Sequence, residues 1–88
     1  MPIIKLIELI EKPADLDKRL VSMKFKVAEN GYKWDNGRLT VREHTIQRAK
    51  EAYYLLVLLT EDQDSLRQEL NQFEEMLKKE YSALLRTR

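Results

Sequence analysis

Four basic side chains in the first half of the chain could bind the phosphate groups of a nucleic acid: Lys24, Lys26, Lys33 and Arg38. They lie in a basic segment, since residues 18–50 contain nine basic and three acidic residues. Lysine and arginine bind DNA or RNA by neutralising phosphate charge, and sheets or ribbons can carry them into a groove. The pattern therefore indicates a nucleic-acid-binding surface. The alternative is a solvated face on which lysines protect strand edges.

Residues that could support catalysis or bind a metal lack the neighbours that such chemistry needs. His44 is the only histidine and the chain has no cysteine, so a metal would find no second nitrogen or sulfur ligand. Both glycines follow asparagine in turn signals, which leaves no glycine-rich phosphate loop. The acidic residues of segment 61–64 are typical of a helix start, not of an acid–base pair. We therefore expect no catalytic residue, no metal, no cofactor and no small-molecule substrate.

A second candidate surface is the run of residues 52–59, which reads AYYLLVLL. In a helix this run would be apolar on all sides, and a chain of 88 residues offers few elements to cover it. The uncovered part predicts a contact with a partner protein or with a second copy of the chain, as in a homodimer. The residues assigned to this protein interface are Tyr53, Tyr54, Val57 and Leu58.

Length and composition describe one small domain over residues 1–88. Charged residues make up 35% of the chain, but they balance to a formal net charge of +1, so bulk charge alone specifies no partner. The longest apolar run is far shorter than the ~20 residues of a membrane helix, and the N-terminus lacks the features of a signal peptide. We therefore expect no membrane association and a cytoplasmic location.

The elements that would position these residues begin with two Asn-Gly dipeptides, which are strong signals for two-residue hairpin turns. A turn at Asn30-Gly31 places Val27 opposite Trp34, and a turn at Asn36-Gly37 places Trp34 opposite Leu39. Both registers put the large apolar side chains on one face and the basic ones on the other. The two turns therefore predict a three-stranded antiparallel meander.

Helical signals flank this meander. Polar residues spaced by about three predict a short N-terminal helix over residues 3–12, ended by Pro13. Capping-box signatures at Thr40 and Thr60 predict two C-terminal helices, which would form a hairpin over residues 41–59 and 62–86. One long bent helix through both segments is the alternative.

The sequence thus predicts an α+β fold with a short N-terminal helix, a three-stranded antiparallel β-meander and a C-terminal two-helix hairpin. An all-α fold with a helix over residues 15–29 is the alternative, since Asn30-Gly31 could also end a helix. We expect a small non-enzymatic binding or regulatory module that acts on a protein partner or on itself through the helical hairpin. The alternative function is a DNA- or RNA-binding regulator that uses the basic face of the sheet.

Overall fold

A five-stranded antiparallel sheet forms one layer of the molecule, and two α-helices form the other. The computed structural model describes residues 2–86 of the chain. The strands are β1 Ile3–Leu9, β2 Lys26–Ala28, β3 Gly31–Trp34, β4 Leu39–Arg48 and β5 Glu51–Thr60. Helix α1 spans Leu16–Ser22, helix α2 spans Gln63–Glu80, and a 3-10 turn at Ser82–Leu84 follows. The strand order is β1-β5-β4-β3-β2, which places the longest strands in the centre of the sheet.

The predicted helix over residues 41–59 is wrong, because this segment forms the β4–β5 hairpin. Pairing runs from Leu39 opposite Thr60 to Arg48 opposite Glu51. Side chains of a strand alternate between the two faces of its sheet, so a run that is apolar at every position suits a central strand. The capping-box signature at Thr40 starts no helix. The helical hairpin and the single long helix over residues 41–86 are therefore both excluded.

The predicted N-terminal helix over residues 3–12 is also wrong. This segment forms β1, which pairs with β5 from Ile3 opposite Thr60 to Leu9 opposite Tyr54. The pairing satisfies main-chain groups that β5 would otherwise expose at its second edge. The polar residues of this short segment have a helix-like spacing, which favours a helix only weakly. Its isoleucine and leucine content and its long-range pairing with β5 favour a strand, and the strand forms.

The segment before the first Asn-Gly dipeptide divides into a helix and a short strand. Helix α1 ends in a Schellman motif, since the N–H of Lys24 donates to the carbonyl of Val21 and the N–H of Phe25 donates to the carbonyl of Leu20, both at 3.0 Å. Lys24 adopts the left-handed conformation with φ 75°. The predicted strand from Val21 and the alternative helix over residues 15–29 are therefore both wrong in extent.

The Asn36-Gly37 turn gives the predicted register, with Trp34 opposite Leu39. The first turn differs by two residues, since Val27 lies opposite Tyr32 and not opposite Trp34. The chain reverses at residues 29–30.

Gly31, the first residue of β3, accounts for this shifted register. It has φ 155°, and a Cβ atom there would lie 2.0 Å from the carbonyl oxygen of Val41. The glycine is needed because β3 and β4 approach closely inside the sheet. An Asn-Gly dipeptide alone does not show whether its glycine has this role or lies in a turn.

The hydrophobic core lies between the sheet and the helices. Leu56 and Leu58 of β5 and Leu70 of α2 are fully buried there. The ring of Phe73 on α2 meets the ring of Phe25 edge to face, with 4.9 Å between the centroids. The molecule is thus an α+β fold with one helix at the C-terminus, and the predicted three-stranded meander with a helical hairpin is corrected accordingly. Neither helix within residues 2–86 combines the length and apolar composition that a membrane crossing requires.

Candidate interaction surface

The two faces of the sheet differ in what covers them. Side chains such as Ile7 and Leu56 point towards the helices and are buried, whereas Ile4 and Leu6 point away and are each 55% exposed. We call the side of the sheet that no helix of residues 2–86 covers the open face. Its side chains come from Ile4, Leu6 and Glu8 of β1, Glu51, Tyr53, Leu55, Val57 and Leu59 of β5, Thr40, Arg42, His44, Ile46 and Arg48 of β4, Lys33 of β3, and Lys26 and Ala28 of β2.

One part of the open face is apolar. Ile4 lies opposite Leu59, and Leu6 lies opposite Val57. Side chains opposite each other on neighbouring strands are in contact distance, so these rows form one continuous patch together with Leu55. We call these five residues the apolar half. Contiguous exposed apolar patches of this kind mark interaction sites more often than isolated exposed side chains do.

The rest of the open face is rich in cations. Lys26 lies directly opposite Lys33, and the two line a surface depression of about 280 Å³ together with Lys24. Among residues 2–86, none of these three lysines forms an ion pair. Like charges opposite each other weaken a strand pair, so local sheet stability does not account for this arrangement. We call the three lysines and Arg42 the cationic margin.

Arg38, the fourth predicted phosphate ligand, is instead engaged at the start of α2. Its guanidinium donates to the carboxylates of Asp35 and Asp62 and, at 2.6 Å, to the hydroxyl of Ser65. The Asp62 side chain also accepts from the Ser65 amide and thereby caps the helix. The hydrogen bonds from Arg38 and Ser65 lower the pKa of Asp62 to about 2. Arg38 therefore joins the β3–β4 turn to α2 and lies outside the cationic margin.

The four residues predicted for the protein interface are divided between the two faces of the sheet. Tyr54 and Leu58 point into the core, where they are 4% and 0% exposed. Tyr53 and Val57 lie on the open face and are half-buried. In the predicted helix all four would lie on one continuous surface. In a strand, side chains at even and odd positions point to opposite faces of the sheet.

One corner of the open face is closed by Arg86. Its guanidinium carbon lies 4.0 Å from the centroid of the Tyr53 ring. The same guanidinium donates to the carboxylates of Glu8 at 2.9 Å and Glu51 at 2.7 Å. These hydrogen bonds raise the pKa of Arg86. The Tyr53 ring is therefore covered by the arginine and is not available for stacking on a base of a nucleic acid.

A cluster of ionisable side chains lies on the helix-covered side, next to the loop before α1. Lys12 is 3.2 Å from Glu43 and 3.9 Å from Asp17. The hydroxyl of Tyr54 donates to Glu43 and that of Tyr32 donates to Asp17. Burial raises the pKa of both tyrosines. Each carboxylate thus has a cation and a hydroxyl donor, and the cluster holds the loop against the sheet. Residues 2–86 contain no group of histidine and acidic side chains arranged to hold a metal ion.

Most of the apolar half, namely Ile4, Leu6, Leu55 and Leu59, was not predicted from the sequence. A signal for it was present, since residues 3–7 and 53–59 are apolar at both odd and even positions apart from Lys5. Such segments suit strands that place apolar side chains on both faces. Arg42 was missed because its segment was assigned to a helix.

In comparisons with protein-family models, curated proteins and solved structures, nothing matched the chain.

Proposed function

We propose that the protein is a binding module that docks a partner protein on the open face of its sheet. The observation that carries this proposal is the asymmetry of the sheet: both helices pack on one face, while the other presents the apolar half beside the cationic margin. Ile4 and Leu6 are each 55% exposed there. The proposed binding surface is therefore a face of the sheet and not the pair of helices that the sequence predicted.

The size of the open face limits the interface that a partner protein could form. Ten-residue strands extend for about 33 Å and five strands span about 24 Å, which gives an upper limit of roughly 800 Å² for a flat rectangle of this size. A stable interface of ordinary size buries about 800 Å² on each partner. Because β2 and β3 are short, the face is smaller than this limit, so a partner that covers all of it would form an interface at the small end of the range.

The charges on this face indicate the chemistry of the partner. An apolar centre on the partner would cover the apolar half, and carboxylates beside that centre would meet Lys26, Lys33 and Arg42. Charge complementarity of this kind speeds association and excludes partners of the wrong charge. We therefore propose a partner surface with an apolar patch bordered by acidic side chains.

The proposal is tested with two variants of the chain. One carries a photoreactive amino acid at position 57, on the open face, and the other carries it at position 21. Val21 is a matched control because it is 51% exposed on α1, away from the open face. A protein crosslinked in cells from position 57 but not from position 21 would then be purified. We expect Val57→Asp to weaken its binding at least tenfold and Val21→Asp to leave it unchanged.

Binding to that purified protein should also weaken in the double variant Lys26→Gln/Lys33→Gln. Binding by the wild-type chain should weaken as the salt concentration rises, because salt screens these exposed charges. Equal crosslinking from both positions would contradict the proposal. So would an affinity that Val57→Asp leaves intact while the variant remains folded by circular dichroism.

A second candidate function is the binding of a DNA or RNA duplex by the cationic margin. The observation in its favour is that Lys24, Lys26 and Lys33 line one depression. If three or four phosphates are neutralised, the logarithm of the binding constant should fall with the logarithm of salt concentration at a slope of about −3 to −4. Replacing the three lysines with glutamine should abolish duplex binding in a fluorescence anisotropy titration, and unchanged binding would exclude this surface.

A further inference from the structure

Hydrogen bonds with the C-terminal segment, residues 84–86, show which main-chain groups of β1 point away from β5. The N–H of Ile10 donates to the carbonyl of Leu84 at 2.8 Å, and the N–H of Arg86 donates to the carbonyl of Glu8 at 2.9 Å. Both contacts lie on the side of β1 that faces away from β5. The main-chain groups of residues 8 and 10 therefore point to the outer edge of the sheet.

The same edge continues towards the N-terminus without a partner among residues 2–86. Residues two apart in an antiparallel strand direct their N–H and C=O groups to the same side. The N–H and C=O groups of Ile4 and Leu6 thus point outward, and no described residue pairs with them. An edge that leaves such groups free is a template for another strand.

This free edge is short and has defined ends. At one end Pro2 has no N–H to donate. At the other end the carbonyl of Glu8 is occupied by Arg86. The free groups therefore belong to Ile4 and Leu6, which lie symmetrically on either side of Lys5.

We propose that two copies of the chain pair antiparallel through Ile4, Lys5 and Leu6 of this edge, around a two-fold axis at Lys5. The pairing ends there, because the main chain of Arg86 lies opposite Glu8, the position that Pro2 of the other copy would otherwise take. Ile4 of each copy then lies opposite Leu6 of the other. Each N–H of these residues donates to a carbonyl of the second copy, so the N–H and C=O groups of Ile4 and Leu6 all gain a partner. A two-fold interface requires such self-complementarity, and the symmetry of the free edge about Lys5 provides it.

The opposite edge of the sheet is unsuited to the same pairing. Strand β2 has three residues and begins at Lys26, and Lys24 lies two residues before it. Short edge strands with lysines resist pairing with another chain. The seven-residue β1 carries Lys5 as its single basic residue. Isoleucine and leucine at the remaining free positions favour an extended strand pair.

Pairing at β1 extends the proposed interaction surface. The two-fold axis runs perpendicular to the sheet, so both open faces lie on the same side of one continuous sheet. The two apolar halves meet at the centre and the cationic margins lie at the outer ends. The dimer does not depend on a partner protein occupying the open face, and failure of either proposal leaves the other standing.

The two Lys5 side chains face each other across the axis as a pair without main-chain hydrogen bonds between them. Like charges at such positions are unfavourable. We therefore expect a weak dimer that salt strengthens. Lys5→Thr removes the repulsion and supplies a β-branched side chain, and it should tighten the dimer about two- to fivefold.

The central experiment is sedimentation equilibrium over a wide range of protein concentration. We expect a monomer–dimer equilibrium for the wild-type chain. Leu6→Pro removes an N–H that points away from β5, so it should abolish the dimer while the β1–β5 ladder remains. Leu6→Ala keeps the N–H and should retain the dimer, which separates edge pairing from contact through the apolar half.

Crosslinking provides a second measurement that does not depend on how Leu6→Pro folds. The chain has no cysteine, so Lys5→Cys introduces a single thiol at the proposed axis, where a disulfide can form across the strand pair. We expect rapid formation of a covalent dimer under mild oxidation. Lys26→Cys on the other edge strand is the control and should crosslink slowly.

Three results would overturn the proposal. The first is a wild-type chain that stays monomeric at every concentration while Lys5→Cys fails to crosslink. The second is a folded Leu6→Pro variant that dimerises as the wild type does. The third is equal crosslinking from Lys5→Cys and Lys26→Cys, which would indicate random collision.

Discussion

The guanidinium carbon of Arg86 lies 4.0 Å from the centroid of the Tyr53 ring, on the open face of the central strand β5. This contact joins the last described residue of the chain to an interior strand, at one corner of the sheet. Ion pairs with Glu8 and Glu51 hold the guanidinium in place. The arginine thereby fixes the C-terminal segment against β1 and sets one limit of the free edge of that strand.

Removing this side chain should loosen the edge of the sheet. We expect Arg86→Ala to lower the melting temperature by a few degrees and to speed amide hydrogen exchange at Ile10, whose N–H donates to Leu84. Arg86→Lys keeps the charge but loses the planar stacking on the ring, so it should give an intermediate result. Unchanged exchange at Ile10 in Arg86→Ala would show that the contact does not hold the segment.

Leu55 and Leu56 provide a matched test of which face of the sheet is the core. Leu56 is fully buried, so Leu56→Ala should cost about 2–5 kcal/mol of unfolding free energy. Leu55 is on the open face, and Leu55→Ala should cost less than about 1 kcal/mol. Urea denaturation measures both, and equal losses would contradict the assignment of the faces.

The two glycines should differ sharply in their tolerance of a side chain. Gly31→Ala would place Cβ 2.0 Å from the carbonyl oxygen of Val41, and we expect a loss of about 3 kcal/mol or more because backbone must move. Gly37 has φ 86° and its nearest contact for an added Cβ is 3.8 Å away. Gly37→Ala should therefore cost only the left-handed conformation, about 1–2 kcal/mol. Chemical denaturation of the two variants checks the ranking, and equal losses of stability would contradict it.

A stabilising substitution is expected at the end of α1. Lys24 has φ 75° at the position of the Schellman motif that glycine usually occupies. Lys24→Gly should relieve the strain and raise the free energy of unfolding by about 1 kcal/mol. A lower stability would mean that the lysine side chain contributes more than its backbone strain costs. Thermal melts at several salt concentrations distinguish a backbone effect from a charge effect.

The stability of the protein should fall in acid partly because of Asp62. Its pKa is lowered from the ordinary 3.8 to about 2 in the folded state. The unfolded chain therefore takes up the proton first, so this carboxylate stabilises the fold above about pH 4 and the contribution disappears as pH falls towards 2. Asp62→Asn keeps a cap at the start of α2 but cannot titrate. We expect a shallower loss of melting temperature between pH 4 and pH 2 in this variant, and equal slopes would show that Asp62 is not the titrating group.

Local signals in the sequence correctly predicted some of these features. The Asn36-Gly37 turn and the pairing of Trp34 with Leu39 follow from residues that tolerate positive φ, a property of the dipeptide itself. The helix after Thr60 was also predicted, although Asp62 is its cap. Lys26 and Lys33 were placed together on the polar face of the sheet, where the structure has them.

By itself, then, the sequence determined the turn at Asn36-Gly37, the start of α2 and the basic side chains of one face. Only the tertiary structure decided that residues 3–9 and 51–60 are strands. An apolar run fits a helix or a strand equally well by local spacing. Which one forms depends on whether a distant segment supplies the main-chain partners, and here Ile3 and Thr60 lie opposite each other. The open face follows from that long-range pairing, because it sends every second side chain of β1 and β5 away from the helices.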